Sequence, residues 1–364
     1  MRLVVDRDIF EEAVSITSKA SSTKSADPVL TGILMKYDGK LKLFATDLEI
    51  GLAHEMDVLE GEGSGGFVID AKLINEIVKN LPENSVEMIY DSGILEIKSG
   101  KSRFRLNTIP PDDFPDFSPA EGGTSIELPC DTVKEMIEKV IFCAATDEFM
   151  KNLNGIFWEF EEGFFRLVAA DGFRLGLVEE RIDGFGESLS FLLSLKSMKD
   201  MVKVLSGCDG NFTLTFDGSK VSFAFDNTKM VVRIVDAEFP DYRRVIPSGF
   251  TTKLLVDRLA LREALRRVSI TAKFGSEGVK FDIKDEIMTI ESRSQDYGEA
   301  YEELEIEKEG QDIVVAFNPK FLLDSLQKIE SDSVELNLID PSRPLQMNPP
   351  DVMGYLYIIM PLRL

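Results

Sequence analysis

The chain has 364 residues, 44% of them apolar and 29% charged, with 41 basic against 64 acidic side chains and a formal net charge of −23. That length predicts two or three domains, and the composition is that of a folded globular protein rather than a disordered one. No apolar run approaches the roughly 20 residues a membrane helix needs, and the acidic total speaks against nucleic acid unless the basic residues are gathered in one place, because phosphate binding runs on Lys and Arg.

The opening M-R-L-V-V-D-R-D lacks the apolar core of a signal peptide, so a cytoplasmic protein is expected. A helix opens at Asp6, with Ile9, Phe10, Ala13 and Val14 as its apolar stripe. Gly32 precedes a short strand at 33–35, and period-two alternation marks further strands at 41–44 and 86–89. A strand at 67–69 leads into a second helix from Lys72. The plan then recurs. A helix from Asp131 carries Val133, Met136, Ile137, Val140, Ile141 and Ala144; Gly155 precedes a strand, and another helix starts near Lys196. In the third copy, 257–273 is a helix with Asp257 as N-cap and Leu261, Ala264, Leu265 and Val268 as its stripe. Gly278 precedes the next strand, and the last helix starts near Lys320.

The openings at Asp6, Asp131 and Asp257 lie 125 and 126 residues apart, and Lys72, Lys196 and Lys320 lie 124 and 124 apart. Asp47, Asp171 and Asp296 keep this beat, as do Phe114-Pro115-Asp116-Phe117 and Phe239-Pro240-Asp241-Tyr242. So many features in one register mean triplication. Turn formers at 118–123 and 247–249 divide the chain into domains 1–122, 123–247 and 248–364. Runs of strands between single helices predict an α+β fold with antiparallel sheets.

The six helical stretches together carry +4, leaving −27 on the rest of the chain. The first helix is itself acidic, so the separation is uneven. The stretch 257–273 is the most basic at +3, with Arg258, Arg262 and Arg266 four apart in a row off the apolar stripe. Helices lining a passage would draw a phosphate backbone to one surface and repel it elsewhere, without base readout. The helix positions that suit this role are Lys72, Lys79, Lys139, Lys196, Lys199, Lys203, Arg258, Arg262, Arg266 and Lys320. Few aromatics interleave with them, which argues against a single-strand stacking platform.

Signals for chemistry are weak. Gly61 to Gly66 match G-x-G-x-x-G literally, but a strand follows where a dinucleotide site needs a helix. The one histidine, His54, sits in an alternating segment and leaves no catalytic triad to assemble. Asp112, Asp113 and Asp116, and likewise Asp236, Glu238 and Asp241, surround Phe-Pro pairs and read as turn carboxylates rather than metal ligands. Cys130, Cys143 and Cys208 cannot all pair and read as buried small hydrophobes in a reducing compartment. No cofactor or metal is implied.

The triplicated frame, A-A-D-G-F-R-L at 169–175, F-P-D-Y-R-R-V at 239–245 and the terminal I-M-P-L-R-L together resemble the bacterial DNA polymerase III beta subunit family, the replicative sliding clamps. The resemblance covers the whole chain. It implies three DNA-clamp domains, each with two helices against antiparallel sheets, and a head-to-tail homodimer closed into a ring around double-stranded DNA. The implied partners are the replicative polymerase catalytic subunit, the clamp loader, and other polymerases and repair proteins with clamp-binding peptides. The implied peptide pocket uses Leu153, Ala170, Gly172, Phe173, Arg174, Leu175, Pro240, Arg244 and Val245 from the middle of the chain. Asn318, Phe321, Ser342, Pro344, Ile358, Met360, Pro361 and Leu362 complete it from the last third. Phe104, Leu106 and Ile270 match the family's dimer contacts, and Lys24 matches a DNA-contacting position. Phe173 stands where the family pattern has His, and Ser276 falls near an aromatic position at the pocket edge, which implies an outer wall of different shape. Two other readings stand beside this one: a carboxylate nuclease built on Asp112 or Asp113, and a scaffold that never touches DNA.

Overall fold

The computed structural model describes residues 1–116, 118–120, 122–183, 185–272 and 278–363. Phe117, Glu121, Lys273, Ser276 and Leu364 lie outside the described residues. Among the described residues six α-helices form, two per repeat: α1 (Arg7–Thr17), α2 (Ala71–Lys79), α3 (Cys130–Val140), α4 (Leu195–Leu205), α5 (Arg258–Ala272) and α6 (Pro319–Leu326).

Short polar side chains start most of them. Asp6 accepts from the N–H groups of Asp8 and Ile9, Asp70 from Leu73, Asp257 from Ala260 and Asn318 from Lys320. The Ser194 hydroxyl accepts from the N–H of Ser197. Each such cap satisfies an otherwise unpaired donor and stabilises its helix by about 1 kcal/mol. Helix α3 begins at Cys130, so Asp131 lies in its first turn.

The predicted stripes are buried with two exceptions. Ile9 is 50% exposed, because the inward face of α1 runs through Phe10, Ala13, Val14 and Thr17 at helical spacing and leaves Ile9 to one side. Ile141 is half-buried in a 3₁₀ turn, since α3 stops at Val140.

All strand pairs among the described residues are antiparallel, and the chain groups into two compact units, residues 1–134 with 199–234 and residues 135–198 with 235–364. The first holds a five-stranded sheet with Ser102–Asn107 at one edge, and an eight-stranded sheet in which Thr228–Arg233 pairs with Ile50–Met56. The second holds a nine-stranded sheet in which Arg174–Arg181 pairs with Tyr355–Ile359, and a four-stranded sheet with Gly298–Glu305 at its edge. The two large sheets thus run on from one repeat into the next. The central repeat is shared out, half of its strands lying in a sheet with strands of the first repeat and half in a sheet with strands of the third. Gly61 to Gly66 link Glu60–Glu62 of the five-stranded sheet to Gly65–Asp70 of the eight-stranded one, a connection between layers.

In the first unit, α1 packs on α2 and on the strands Leu41–Thr46 and Ile50–Met56. In the second, α5 packs on α6 and on Ile287–Ser294. Trp158, Phe160, Phe165 and Phe191 stack within the core of the second unit, with Trp158 fully buried.

The cysteine reading needs correction. All three are buried, but the sulfurs of Cys130 and Cys208 are bonded, with Cα atoms 6.1 Å apart, and only Cys143 is free. Their partners lie 78 residues apart, and no spacing rule reveals a pairing set by tertiary contact.

Candidate functional site

The second unit carries an apolar groove of about 160 Å³. Its floor follows from strand pairing. Ala170 lies opposite Leu175, and Leu175 opposite Ile358, which brings side chains from three strands onto one patch. Leu175 and Ile358 are buried and pack with Val168, Leu177, Phe239 and Tyr242. The turn between the first two strands is set by Asp171, whose Oδ1 accepts the N–H groups of Phe173 and Arg174 at 2.9 Å each. Gly172 at φ 87° supplies the left-handed step this turn needs. A Cβ at Gly176 would meet the Cys143 sulfur at 3.0 Å and the Tyr357 ring at 3.2 Å, so a larger residue would have to push these neighbours back by a few tenths of an ångström.

Two charged clusters hold the walls. Arg174 is 9% exposed, pairs with Asp171 at 3.0 Å and Asp324 at 2.7 Å, and lies over the rings of Phe142 and Phe321. Burial works against its charge, but the hydrogen bond to Asp324 and the surrounding carboxylates hold its pKa above the ordinary arginine value. On the other side Tyr242 donates to Glu159 at 2.6 Å, and Arg243 bridges Glu159 and Glu161. Burial, then the bond to Glu159, pushes the Tyr242 hydroxyl well above its usual range, so it remains a donor.

Of the expected pocket residues, Leu153, Ala170, Gly172, Arg174, Leu175, Pro240, Val245, Ile358 and Met360 line this groove. Phe239, Asp241 and Tyr242 line it too and were absent from the expectation, although the repeated Phe-Pro-Asp motif marked their position. Phe173, 62% exposed, stacks on Phe321 at 6.5 Å beside the groove, and its carbonyl accepts from the Met360 N–H. Arg244 turns to Asp241, Asn318 caps α6, and Ser342 bonds Asp340. Pro344 and Pro361 do not line the groove, and Leu362 bridges to Ala316 and lines a different cavity with Val279 and Tyr301.

The basic positions divide by exposure. Lys24, Lys72, Lys79, Lys196, Lys199, Lys203, Arg266 and Lys320 are exposed. Lys139 is half-buried, paired with Glu135 and over the Tyr355 ring. Arg258 donates to the Ser331 carbonyl, and Arg262 and Arg266 share Glu263, so the row of three arginines is partly neutralised. No group of three potential metal ligands occurs among the described residues, and no helix there is long and apolar enough to cross a membrane.

Comparison with known proteins bears on what this arrangement is. Family models described as the N-terminal, central and C-terminal domains of the DNA polymerase III beta subunit match residues 1–118, 127–241 and 243–363. The crystal structure of the Thermotoga maritima DNA polymerase III beta subunit superposes with a TM-score of 0.95 at 46% identity, covering 100% of this chain and 99% of that one. The chain belongs to the DNA polymerase III beta subunit family, the beta sliding clamps.

The beta sliding clamps of Vibrio cholerae and Bacillus subtilis are each 27% identical to it, over 100% of both chains. A Pseudomonas aeruginosa sliding clamp bound to griselimycin superposes at a TM-score of 0.94 and 25% identity, over 100% of both. The fold is therefore three DNA-clamp domains. Of the three expected interface residues, two fall on a sheet margin and one on helix α5. Phe104 and Leu106 are half-buried on the edge strand Ser102–Asn107, which also presents Arg103 and Arg105 to solvent. Ile270, 62% exposed, lies near the end of α5, which is tied to the edge strand Gly298–Glu305 by Arg267 on Glu302 at 2.7 and 2.8 Å. Tyr301 on that strand is 58% exposed.

Proposed function

We propose that this chain works as a sliding clamp by enclosing duplex DNA within a ring of two copies and tethering a polymerase through the groove around Leu175. The observation that carries this reading is the groove itself: nine expected positions, drawn from sequence stretches nearly 200 residues apart, converge on one apolar cavity in a chain that matches the clamp family from end to end. A concave apolar patch with few polar groups suits short peptides with apolar anchors, such as those of the replicative polymerase, the clamp loader and repair proteins.

Ring closure is supported by the two sheet margins. The edge with Phe104 and Leu106 carries arginines, and the edge with Tyr301 carries Glu299, Glu303 and Glu305. Opposite margins of one chain joining head to tail form a heterologous contact that closes after two copies. The exposed helix lysines, with Lys24, would then face DNA weakly enough to permit sliding, since strong phosphate contacts would brake it. In this reading the chain carries out no chemistry of its own and works in the cytoplasm. The test is loading onto a nicked circular plasmid followed by linearisation. Retention on the circle and loss from the linear form is the expected result; equal retention on both overturns encirclement. Mg²⁺-dependent cleavage abolished by Asp112→Asn would instead favour a nuclease.

A further inference from the structure

The bond between Cys130 and Cys208 sits where the chain leaves and re-enters its first compact unit. That unit is built from residues 1–134 and 199–234, and the intervening stretch folds into the other unit. Cys130 opens α3 just before the exit, and its N–H donates to Gly210 at 2.8 Å; Cys208 follows α4 just after the return, its N–H on the Leu205 carbonyl at 3.0 Å. Both are under 5% exposed, and they lie 78 residues apart in sequence. Apart from this tie, the returning segment is held by strand pairing and side-chain contacts, among them Lys19 on the Lys203 carbonyl.

We propose that Cys130–Cys208 is a redox-linked tie that fastens the returning segment 199–234 to residues 1–134, so that the stability of this unit depends on the oxidation state of the protein. Cross-linking across a long loop acts chiefly by restricting the unfolded chain, and a loop of this length lies near the upper end of that effect. The oxidant is a small-molecule disulfide such as oxidised glutathione. One cysteine thiolate attacks it, releasing one small thiol and forming a mixed disulfide; the second cysteine displaces the other small thiol. Two cysteine thiols are oxidised to one disulfide, and one disulfide oxidant is reduced to two thiols that carry away the protons. Burial keeps reductants from the sulfurs in the folded state, so exchange proceeds through opening of the unit.

The test counts thiols in the full chain and follows its melting. After exposure to oxidised glutathione, alkylation in denaturant should label one cysteine, Cys143, and three only after reduction. Reduced protein should melt about 10 °C lower. A C130S/C208S variant should match the reduced protein and ignore reductant, while Cys143→Ser should stay sensitive. Should the double variant fail to fold, the wild-type melting shift with reductant still decides the question. Three labelled cysteines after oxidant treatment, or a melting temperature indifferent to reductant, overturns the proposal.

Discussion

Replacing Arg174 by Met tests the groove at its most heavily constrained point. The guanidinium is 9% exposed and holds two carboxylates, Asp171 and Asp324, while lying over the Phe142 and Phe321 rings. Breaking a buried pair by removing one partner costs roughly 3–5 kcal/mol. Here the cost is smaller, because Asp324 is 31% exposed and Asp171 keeps the two N–H donors of its own turn. Met also retains part of the packing. The expected loss is about 2–3 kcal/mol, or about 5–10 °C in melting temperature for a unit of this size. The single tryptophan, Trp158, is fully buried in the same unit and reports its unfolding. In a double-mutant cycle with Asp324→Asn, a coupling of about 1–2 kcal/mol should appear. Affinity for a polymerase-derived clamp-binding peptide, read by fluorescence anisotropy, should fall about tenfold as the wall loosens, a change of about 1.4 kcal/mol. A variant within about 0.5 kcal/mol of wild type, with no coupling to Asp324 and unchanged peptide affinity, would refute the reasoning.

Tyr242→Phe removes a donor from Glu159, which keeps Arg243 at 2.8 Å and Arg166 at 3.3 Å, so the loss by urea unfolding should be about 1–2 kcal/mol rather than the full cost of an orphaned charge. His54 should make the stability of the eight-stranded sheet depend on pH: burial lowers its pKa, Glu12 opposing in part, and its Nδ1 meets the Thr228 hydroxyl at 2.9 Å. Because the folded value lies below the ordinary one of about 6.5, stability should be complete above that pH and drain away as pH falls through the folded value; the urea midpoint of His54→Gln should be flatter over the same range. Arg103→Glu with Arg105→Glu should weaken the dimer at least tenfold by sedimentation, and Glu299→Lys with Glu303→Lys in the same chain should restore much of it; no change in either variant would place the contact elsewhere.

What the sequence disclosed was local, and what it withheld was pairing. The caps at Asp6 and Asp257 and the stripe through Leu261, Ala264, Leu265 and Val268 depend on neighbours within a turn or two, and they appear in the fold as written. Ile9 went astray because apolar character alone does not say which face of α1 turns inward. The joining of Arg174–Arg181 to Tyr355–Ile359, and of Cys130 to Cys208, spans scores to nearly two hundred residues and leaves no periodic trace. Phe239 and Tyr242 illustrate the same limit within the groove. Their motif stood out as a repeated frame, yet their role as floor emerges only once Leu175 and Ile358 are side by side.

Sheet margins decide where two copies can join. An unpaired strand edge invites further strands, so a monomer that exposes several must blunt those it does not use. The margin of Gly65–Asp70 is engaged by the Val68–Ile109 bridge, and that of Ile313–Phe317 by the Ala316–Leu362 bridge. Glu60–Glu62 and Glu307–Gly310 are three- and four-residue edges rich in glutamate. Ser102–Asn107 and Gly298–Glu305 differ from these four edges. They are six and eight residues long, mix apolar with charged side chains, and carry opposite signs. Like signs on these edges would repel, so each discourages pairing with a copy of itself and favours the other. Under the proposed ring, edge charge would supply the polarity of a head-to-tail contact, and Phe104, Leu106 and Tyr301 are the apolar side chains these two edges offer to it.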